Sequence, residues 1–146
     1  MKNIYHYLEI LFFGFSLQAC QSPKIPQILA GTDTIEIIYF SPKGKNTLED
    51  ERFNIRDKTF IHELLYYISD KDTLIDYCNY EGVMKFHKAR VGIVLMEAKF
   101  STHQNCSFMT FQYQNKQFTR LIQPGGVTFL RLARKYKDAI DNEDLL

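Results

Sequence analysis

The chain has 146 residues, and its 18 basic and 17 acidic residues give a formal net charge of +1. This length suits a single domain that buries a modest core without several disulfides. Nucleic-acid-binding proteins present a clustered basic face, so the near-neutral balance argues against nucleic acid as a partner. Nine tyrosines and twelve phenylalanines, with no tryptophan, favour β-structure with a packed face.

The first 19 residues have the layout of a bacterial signal peptide. Lys2 supplies a positive start, and an apolar run follows over residues 10–17. A membrane-spanning helix needs about 20 apolar residues, so this run is too short to be one. His6 and Glu9 interrupt the apolar segment further and make the signal peptide imperfect.

The leader ends in Leu17-Gln18-Ala19-Cys20, which resembles the lipobox of bacterial lipoproteins. The resemblance implies cleavage before Cys20 and lipidation of Cys20 as the new N-terminus. Leu17 and Ala19 match the usual pattern, whereas Gln18 departs from it. Two alternatives stay open: a cytosolic protein with a buried amphipathic N-terminal helix, and a secreted protein cut by an ordinary peptidase.

With its composition rich in Phe, Tyr, Lys and Asn, this motif makes the chain similar to small lipoproteins of Bacteroidota-type bacteria. The resemblance implies a lipid anchor at Cys20 in the cell envelope and transfers no active site. Residues 20–33, which include Pro23 and Pro26, are predicted to form an extended tether. Surface-exported lipoproteins of this type often carry an acidic cluster behind the cysteine. Lys24 is the only charge in that position here, which favours the periplasmic face over the cell surface.

Residues 34–140 are predicted to form one α+β domain, followed by a frayed tail at 141–146. The predicted strands cover residues 34–40, 83–86, 91–100, 106–113 and 118–122. The last four strands have short connections, so they must pair antiparallel. The predicted fold is an antiparallel sheet of about five strands with two helices packed on one face, a two-layer sandwich.

Helical spacing of apolar residues defines the two predicted helices. The first begins at Asp57, which can cap it, and ends near residues 69–72. Its predicted core stripe is Phe60, Ile61, Leu64, Leu65 and Ile68. The second begins after Pro124, and its predicted stripe is Phe129, Leu132, Ala133, Tyr136 and Ile140.

Cys78 and Cys106 are the one intramolecular disulfide pair left once Cys20 carries lipid. In the predicted sheet both approach the same end of the longest strand, from opposite sides. Strands that flank a common neighbour are about 9.5 Å apart, while a disulfide needs Cα atoms within about 7 Å. The bond therefore requires Cys78 to be a loop residue that folds over the sheet edge. Two free buried thiols are the alternative.

Two patterns offer weak candidates for metal binding. His103 and Cys106 have ligand-like spacing, and Cys78 and His87 would complete a set of four for zinc. Residues 70–81 resemble the start of an EF-hand loop, but Leu74 replaces an oxygen ligand and Ile75 stands where glycine is needed. Neither pattern is sufficient, and the sequence predicts no metal site and no cofactor.

Three further features have ordinary explanations. Gly125-Gly126 could present amides to an anion, but turn and cap chemistry accounts for a glycine pair after a proline. The last helix is enriched in basic residues that could face anionic headgroups, although a solvated helix face is the simpler interpretation. These residues are Arg131, Arg134, Lys135 and Lys137.

His62 and Glu63 are adjacent on the first helix and point in different directions. Neither Gly-x-Ser-x-Gly nor His-Glu-x-x-His occurs, so no catalytic residue is predicted.

The sequence thus predicts a lipid-anchored module that contacts another envelope protein or a small ligand. The alternative is a small envelope enzyme with an unfamiliar active site. A flat exposed sheet face bearing Tyr and Phe would favour the module. A concave face with convergent buried titratable groups would favour the enzyme.

Overall fold

The computed structural model describes residues 23–41, 50–75 and 77–137. The predicted signal peptide, the lipidation site Cys20 and the predicted tail at 141–146 lie outside these residues. Within them, no helix has both the length and the apolar character needed to cross a membrane.

Seven strands and three α-helices make up the described chain, together with a single 3-10 turn at Ala89–Val91. In chain order they are α1 (Ile25–Ile28), β1 (Thr34–Tyr39), β2 (Glu51–Ile55), α2 (Lys58–Tyr66), β3 (Ile68–Asp72), β4 (Gly82–Lys88), β5 (Ile93–His103), β6 (Cys106–Tyr113), β7 (Lys116–Ile122) and α3 (Pro124–Lys135). All strands pair antiparallel in one sheet of order β2-β1-β4-β5-β6-β7-β3. The α+β class is as predicted, whereas the predictions of about five strands and two helices were wrong.

One face of the sheet packs against the helices and the other is open. Side chains alternate between the two faces along each strand, so residues in register share a face. Ile37 in β1 pairs with Met84 in β4, and Met84 pairs with Ala98 in β5. The inward residues of the strands and the buried faces of the helices form a single hydrophobic cluster. The predicted inner face of β1, which comprises Ile35, Ile37 and Tyr39, belongs to that cluster.

The two strands that the sequence analysis missed, β2 and β3, are the edges of the sheet. The first helix was predicted to end near residues 69–72, but α2 ends at Tyr66 and β3 follows immediately. Ile68, predicted to be the last residue of the helical stripe, is buried, but it belongs to a strand. Edge strands bury few side chains and tolerate charges, so the polar run 69–72 was mistaken for a helix end.

The start of α2 is as predicted. The Asp57 carboxylate accepts a hydrogen bond of 2.8 Å from the Phe60 N–H, as expected of an N-cap. The Phe60 ring contacts the Phe129 ring of α3 at a centroid distance of 3.8 Å. Phe129 therefore packs between the two helices rather than onto the sheet.

The predicted core stripe of α3 was partly wrong. Its buried residues are Gly126, Val127, Leu130 and Ala133. Leu132 and Tyr136 are 46% and 53% exposed. Ala133 of the predicted stripe is buried as expected, but Phe129 faces α2 and the stripe misses Val127 and Leu130, which pack on the sheet side. Ile140 lies outside the described residues.

The N-terminal segment from residue 23 onward packs onto the domain, although residues 20–33 were predicted to be an extended tether. Ile25 is fully buried and Leu29 is 2% exposed. The Ile25 N–H donates a hydrogen bond of 3.2 Å to the Asp70 carboxylate in β3. Pro26 occupies the first turn of α1, a position where proline is compatible with a helix, so the prolines did not indicate a tether.

Arg120 connects this segment to the sheet. Its side chain is fully buried on the helix side of β7. Its guanidinium lies 3.0 Å from the Asp72 carboxylate and donates a hydrogen bond of 3.3 Å to the Pro23 carbonyl oxygen. The Phe118 ring lies 5.3 Å from the same guanidinium. A buried charge needs such partners, so Arg120 joins β7, β3 and the N-terminal segment.

Candidate functional site

The chain between β3 and β4 crosses the open face of the sheet. β3 is an edge strand beside β7, whereas β4 lies between β1 and β5, so the connection has to pass three strands. We call its described residues, 73–75 and 77–81, the strap. At its start the Thr73 N–H donates to the Thr119 carbonyl oxygen at 2.9 Å. At its end the Glu81 N–H donates to the Phe100 carbonyl oxygen at 2.8 Å.

A disulfide attaches the middle of the strap to the sheet. Cys78 in the strap and Cys106 at the start of β6 have Cα atoms 6.0 Å apart and Sγ atoms at bonding distance. Cys78 is a loop residue, as the geometric argument from the sequence required. The pair is 28 residues apart in sequence. Closing a loop of that size stabilises a fold by about 3–4 kcal/mol in the chain-entropy model.

Glu81 attaches the far end of the strap. Its carboxylate accepts hydrogen bonds from the backbone N–H and from the hydroxyl of Thr102, the latter at 2.7 Å. The same carboxylate lies 3.7 Å from the imidazole of His103. Because Glu81 is held by backbone and side-chain groups together, the strap ends in a fixed position on β5.

Between these attachments the strap presents two large apolar side chains to solvent. Leu74 is 98% exposed and Tyr77 is 104% exposed, more than any other large apolar residue in the described ranges. Tyr77 has a φ of +62°, a left-handed conformation that costs a residue with a side chain about 1–2 kcal/mol. Strained backbone and exposed apolar surface both concentrate at binding sites. We call Leu74 and Tyr77 the strap tip.

Beside the strap, the open face contains a groove of about 490 Å³. Tyr80 forms one side of it and packs on Phe108 at a ring-centroid distance of 5.6 Å. The Lys99 ammonium lies 5.5 Å from the centre of the Tyr80 ring. The amides of Gln112 and Gln117, which pair in register, line the floor. The groove is thus lined by polar and apolar groups together.

Opposite charges alternate across four strands of the open face. The Glu36 carboxylate lies 3.2 Å from Arg52, 3.9 Å from Lys85 and 3.6 Å from His87. Lys85 also lies 4.0 Å from Glu97. Cross-strand pairs of opposite charge stabilise a sheet modestly, and they leave little net field to attract a charged ligand.

The structure does not bring the candidate metal ligands together. Cys106 is bonded to Cys78, His103 contacts Glu81, and His87 lies near the opposite end of β4. In the part of the chain that is described, no group of three or more His, Cys, Asp and Glu residues could hold a metal ion.

The described acidic residues of the EF-hand-like segment, Asp70, Asp72 and Glu81, also have separate partners, and Asp76 lies outside the described residues. Asp70 accepts a hydrogen bond from the Ile25 N–H in the N-terminal segment, and Asp72 pairs with Arg120. Glu81 binds Thr102 on another strand. Because each of these three carboxylates makes a different contact, the three do not converge on one cation.

The glycine pair at the start of α3 allows the helix to pack closely against Tyr67. A Cβ atom on Gly125 would overlap the ring of Tyr67, and one on Gly126 would lie 2.8 Å from the Tyr67 Cβ. His62 and Glu63 are exposed on α2. None of these features forms an anion site or a catalytic pair.

Three of the four basic residues of the last helix bind other parts of the domain. Arg134 and Lys137 both contact the Glu51 carboxylate at 2.8 Å. Burial alone would raise the pKa of Glu51, but the hydrogen bonds from Lys137 and Arg134 outweigh it and lower this pKa below its ordinary value. Arg131 donates to the Thr102 carbonyl oxygen at 2.8 Å.

Comparison with family models, with curated proteins and with solved structures found no match for this chain.

The sequence patterns did not predict the strap tip as a candidate site. Leu74 was considered only as a missing ligand in an EF-hand-like loop. The available signal was the placement of Leu74, Ile75 and Tyr77 just before Cys78, between polar residues that do not continue a helix or strand. Apolar residues in a loop next to a disulfide are candidates for recognition rather than for the core.

Proposed function

We propose that the protein is a lipid-anchored interaction module of the bacterial cell envelope and that the strap tip is its recognition element. The proposed anchor is Cys20, on the strength of the lipobox-like sequence. The proposed partner is another envelope protein, with an apolar cleft that receives Leu74 and Tyr77. The near-complete exposure of these two side chains carries the proposal.

The shape of the strap tip favours a protein partner over a small ligand. Small molecules bind in concave sites that surround them, whereas Leu74 and Tyr77 project outward from the domain. Tyrosine is enriched among the residues that dominate protein–protein binding energy, where it fills a pocket on the partner.

The attachments of the strap support the same function. Binding by a loop normally loses free energy because the loop must become ordered. Here the Thr73 pairing, the Cys78–Cys106 bond and the Glu81 contacts hold the strap on the sheet before any partner arrives. A pre-ordered loop keeps more of its contact energy as affinity.

A small envelope enzyme is the second candidate, with the groove as its site. Shifted pKa values concentrate at active sites. Among the described residues, three have shifted pKa values: Tyr39 and Glu51 on the helix side of the sheet, and Asp33, whose pKa is lowered by a hydrogen bond from the Ala89 N–H. Burial raises the pKa of Tyr39, whose hydroxyl donates to the Leu130 carbonyl oxygen at 3.4 Å. Each of the three has a structural contact, and none of them lines the groove, so the pKa values do not support the enzyme.

Photo-crosslinking tests the proposal. A benzophenone amino acid at position Tyr77 is expected to capture one envelope protein in living cells, and mass spectrometry identifies it. With that protein purified, Leu74→Ser and Tyr77→Ser are each expected to weaken the Kd about tenfold or more, as loss of a buried anchor does. Tyr136→Ser, at an exposed tyrosine on the helix side, is the matched control and should leave the Kd unchanged. Equal Kd values for all three variants would refute the strap tip as the recognition element.

The lipid anchor has its own test. Mass spectrometry of the mature N-terminus is expected to show acyl chains on Cys20 that disappear in Cys20→Ser. An unlipidated N-terminus in the parent protein would refute the anchor and leave the strap-tip test in place.

A further inference from the structure

The described chain begins on the helix side of the sheet. The Pro23 carbonyl oxygen accepts from the buried Arg120, and the Ile25 N–H donates to Asp70. Ile25 and Leu29 are buried in the hydrophobic cluster. The chain is therefore attached to the domain from residue 23 onward.

This attachment limits the distance between the domain and a lipid at Cys20. Cys20 precedes Pro23 by three residues. An extended chain spans at most about 3.6 Å per residue, so about 11 Å separates the two positions at most. A lipid on Cys20 would hold the helix side of the domain close to the bilayer surface.

The helix side also carries the side chains that suit a bilayer surface. Tyr66 is 72% exposed at the end of α2, and Leu132 and Tyr136 are exposed on α3. The Lys135 ammonium lies 5.2 Å from the centre of the Tyr136 ring. Tyrosine and lysine place their apolar parts among lipid headgroups and keep their polar ends in water.

Tyr66 is close in sequence to a residue that holds the N-terminal segment. It stands four residues before Asp70, which holds the backbone of Ile25. The helices that end at Tyr66 and next to Tyr136 pack on the face of the sheet that buries Arg120, the contact of Pro23, so the exposed tyrosines and the point where the chain enters the domain are on the helix side of the sheet.

We infer that the outer surface of α2 and α3 lies against the bilayer to which the chain is anchored, and that the strap tip faces away from it. This inference rests on the lipid anchor of the proposed function. The strap crosses the opposite face of the sheet, so the domain itself separates Leu74 and Tyr77 from the membrane. The partner is then a protein in the aqueous layer of the envelope, and one buried in the same bilayer would not reach the strap tip.

The absence of tryptophan from the chain provides a direct test. A single tryptophan can be introduced by Tyr66→Trp or Tyr136→Trp on the helix side, or by Tyr77→Trp at the strap tip. Each purified, lipidated variant is reconstituted into vesicles of phosphatidylcholine and phosphatidylglycerol with brominated acyl chains, which quench nearby tryptophan. The emission of the two helix-side variants is expected to fall and shift to shorter wavelength, and that of Tyr77→Trp to stay unchanged.

The possible outcomes test the proposed orientation and the proposed lipid anchor separately. A protein that does not float with the vesicles and carries no acyl mass overturns both the anchor and the orientation. A lipidated protein that floats, but whose tryptophans are quenched equally or not at all, overturns the orientation alone. Quenching confined to Tyr77→Trp would show the opposite orientation, with the strap tip against the bilayer. The three substitutions are at exposed positions, and equal unfolding temperatures confirm that each variant is folded.

Discussion

Arg120 and Asp72 form an ion pair across the edge of the sheet, with the fully buried guanidinium 3.0 Å from a carboxylate that is 48% exposed. Asp72 also accepts a hydrogen bond of 2.8 Å from the Thr119 N–H. The pair thus fixes β3, the last strand of the sheet order, to β7.

Removing the carboxylate should destabilise the domain more than removing both charges. Asp72→Ala leaves a buried arginine without its anionic partner, a change that costs about 3–5 kcal/mol for fully buried pairs and less for a half-exposed carboxylate such as this one. The double variant Asp72→Ala with Arg120→Met has no buried charge and is expected to recover part of the loss. Urea unfolding at neutral pH measures all three proteins. A double variant less stable than Asp72→Ala alone would contradict this account.

Gly82 is expected to be intolerant of a side chain. It lies in β4 between Tyr39 and Phe100, and a Cβ atom there would overlap the Ile38 carbonyl oxygen, which belongs to the backbone. Gly82→Ala should lower the free energy of unfolding by about 1–3 kcal/mol, as overpacking does. The control is Gly92→Asn, because nothing lies within 4 Å of a Cβ at Gly92 and asparagine tolerates its positive φ of +66°. Thermal unfolding measures the stability of both variants. An equal loss of stability in Gly82→Ala and Gly92→Asn would contradict the steric explanation.

The contacts of Glu51 predict that the free energy of unfolding decreases at acid pH. Its pKa in the folded protein lies below the ordinary value of 4.5, so the charged form is favoured by folding. The resulting stability is present above pH 4.5 and is lost as the pH falls through the lower, folded-state pKa. At pH 6 Glu51→Gln should therefore be less stable than the parent, by about 1 kcal/mol or less because the ion pairs are partly exposed and screened by solvent. The difference should shrink towards pH 3, and a difference independent of pH would exclude this cause.

The Cys78–Cys106 bond should stabilise the fold and order the strap. Replacing both cysteines by serine is expected to lower the free energy of unfolding by about 3–4 kcal/mol. It should also weaken partner binding through the strap tip, because the loop must then become ordered on binding. Thiol alkylation before and after reduction reports the oxidation state, and free thiols in the untreated protein would rule out the bond.

The central sheet could be predicted from the sequence because its strands bury one full face. β6 was predicted over residues 106–113, and the structure gives the same bounds. The meander from β4 to β7 follows from short connections alone. The edge strands were missed because β3 buries Ile68 and then turns polar, so its hydrophobic period is too short to detect.

Other elements depend on contacts that are remote in sequence. Ile25 is in the core because Asp70 and Arg120 fix the N-terminal segment, and nothing near Ile25 in the sequence indicates these partners. The strap tip was missed for a similar reason. The sheet order places three strands between β3 and β4, and the contacts of Cys78 and Tyr80 with β6 show that the intervening loop crosses the open face.

The position of β3 also determines the order in which the molecule can be completed. Ile68 pairs with Ile122, so β3 cannot join the sheet until more than fifty further residues have been synthesised and β7 is in place. Such distant pairing is slow because a long loop has to close first. Until then, the inward side of β7, including Arg120, has no β3 beside it. β7, the last strand to be synthesised, is thus the partner of the early strand β3, and the sheet is complete only when both are present.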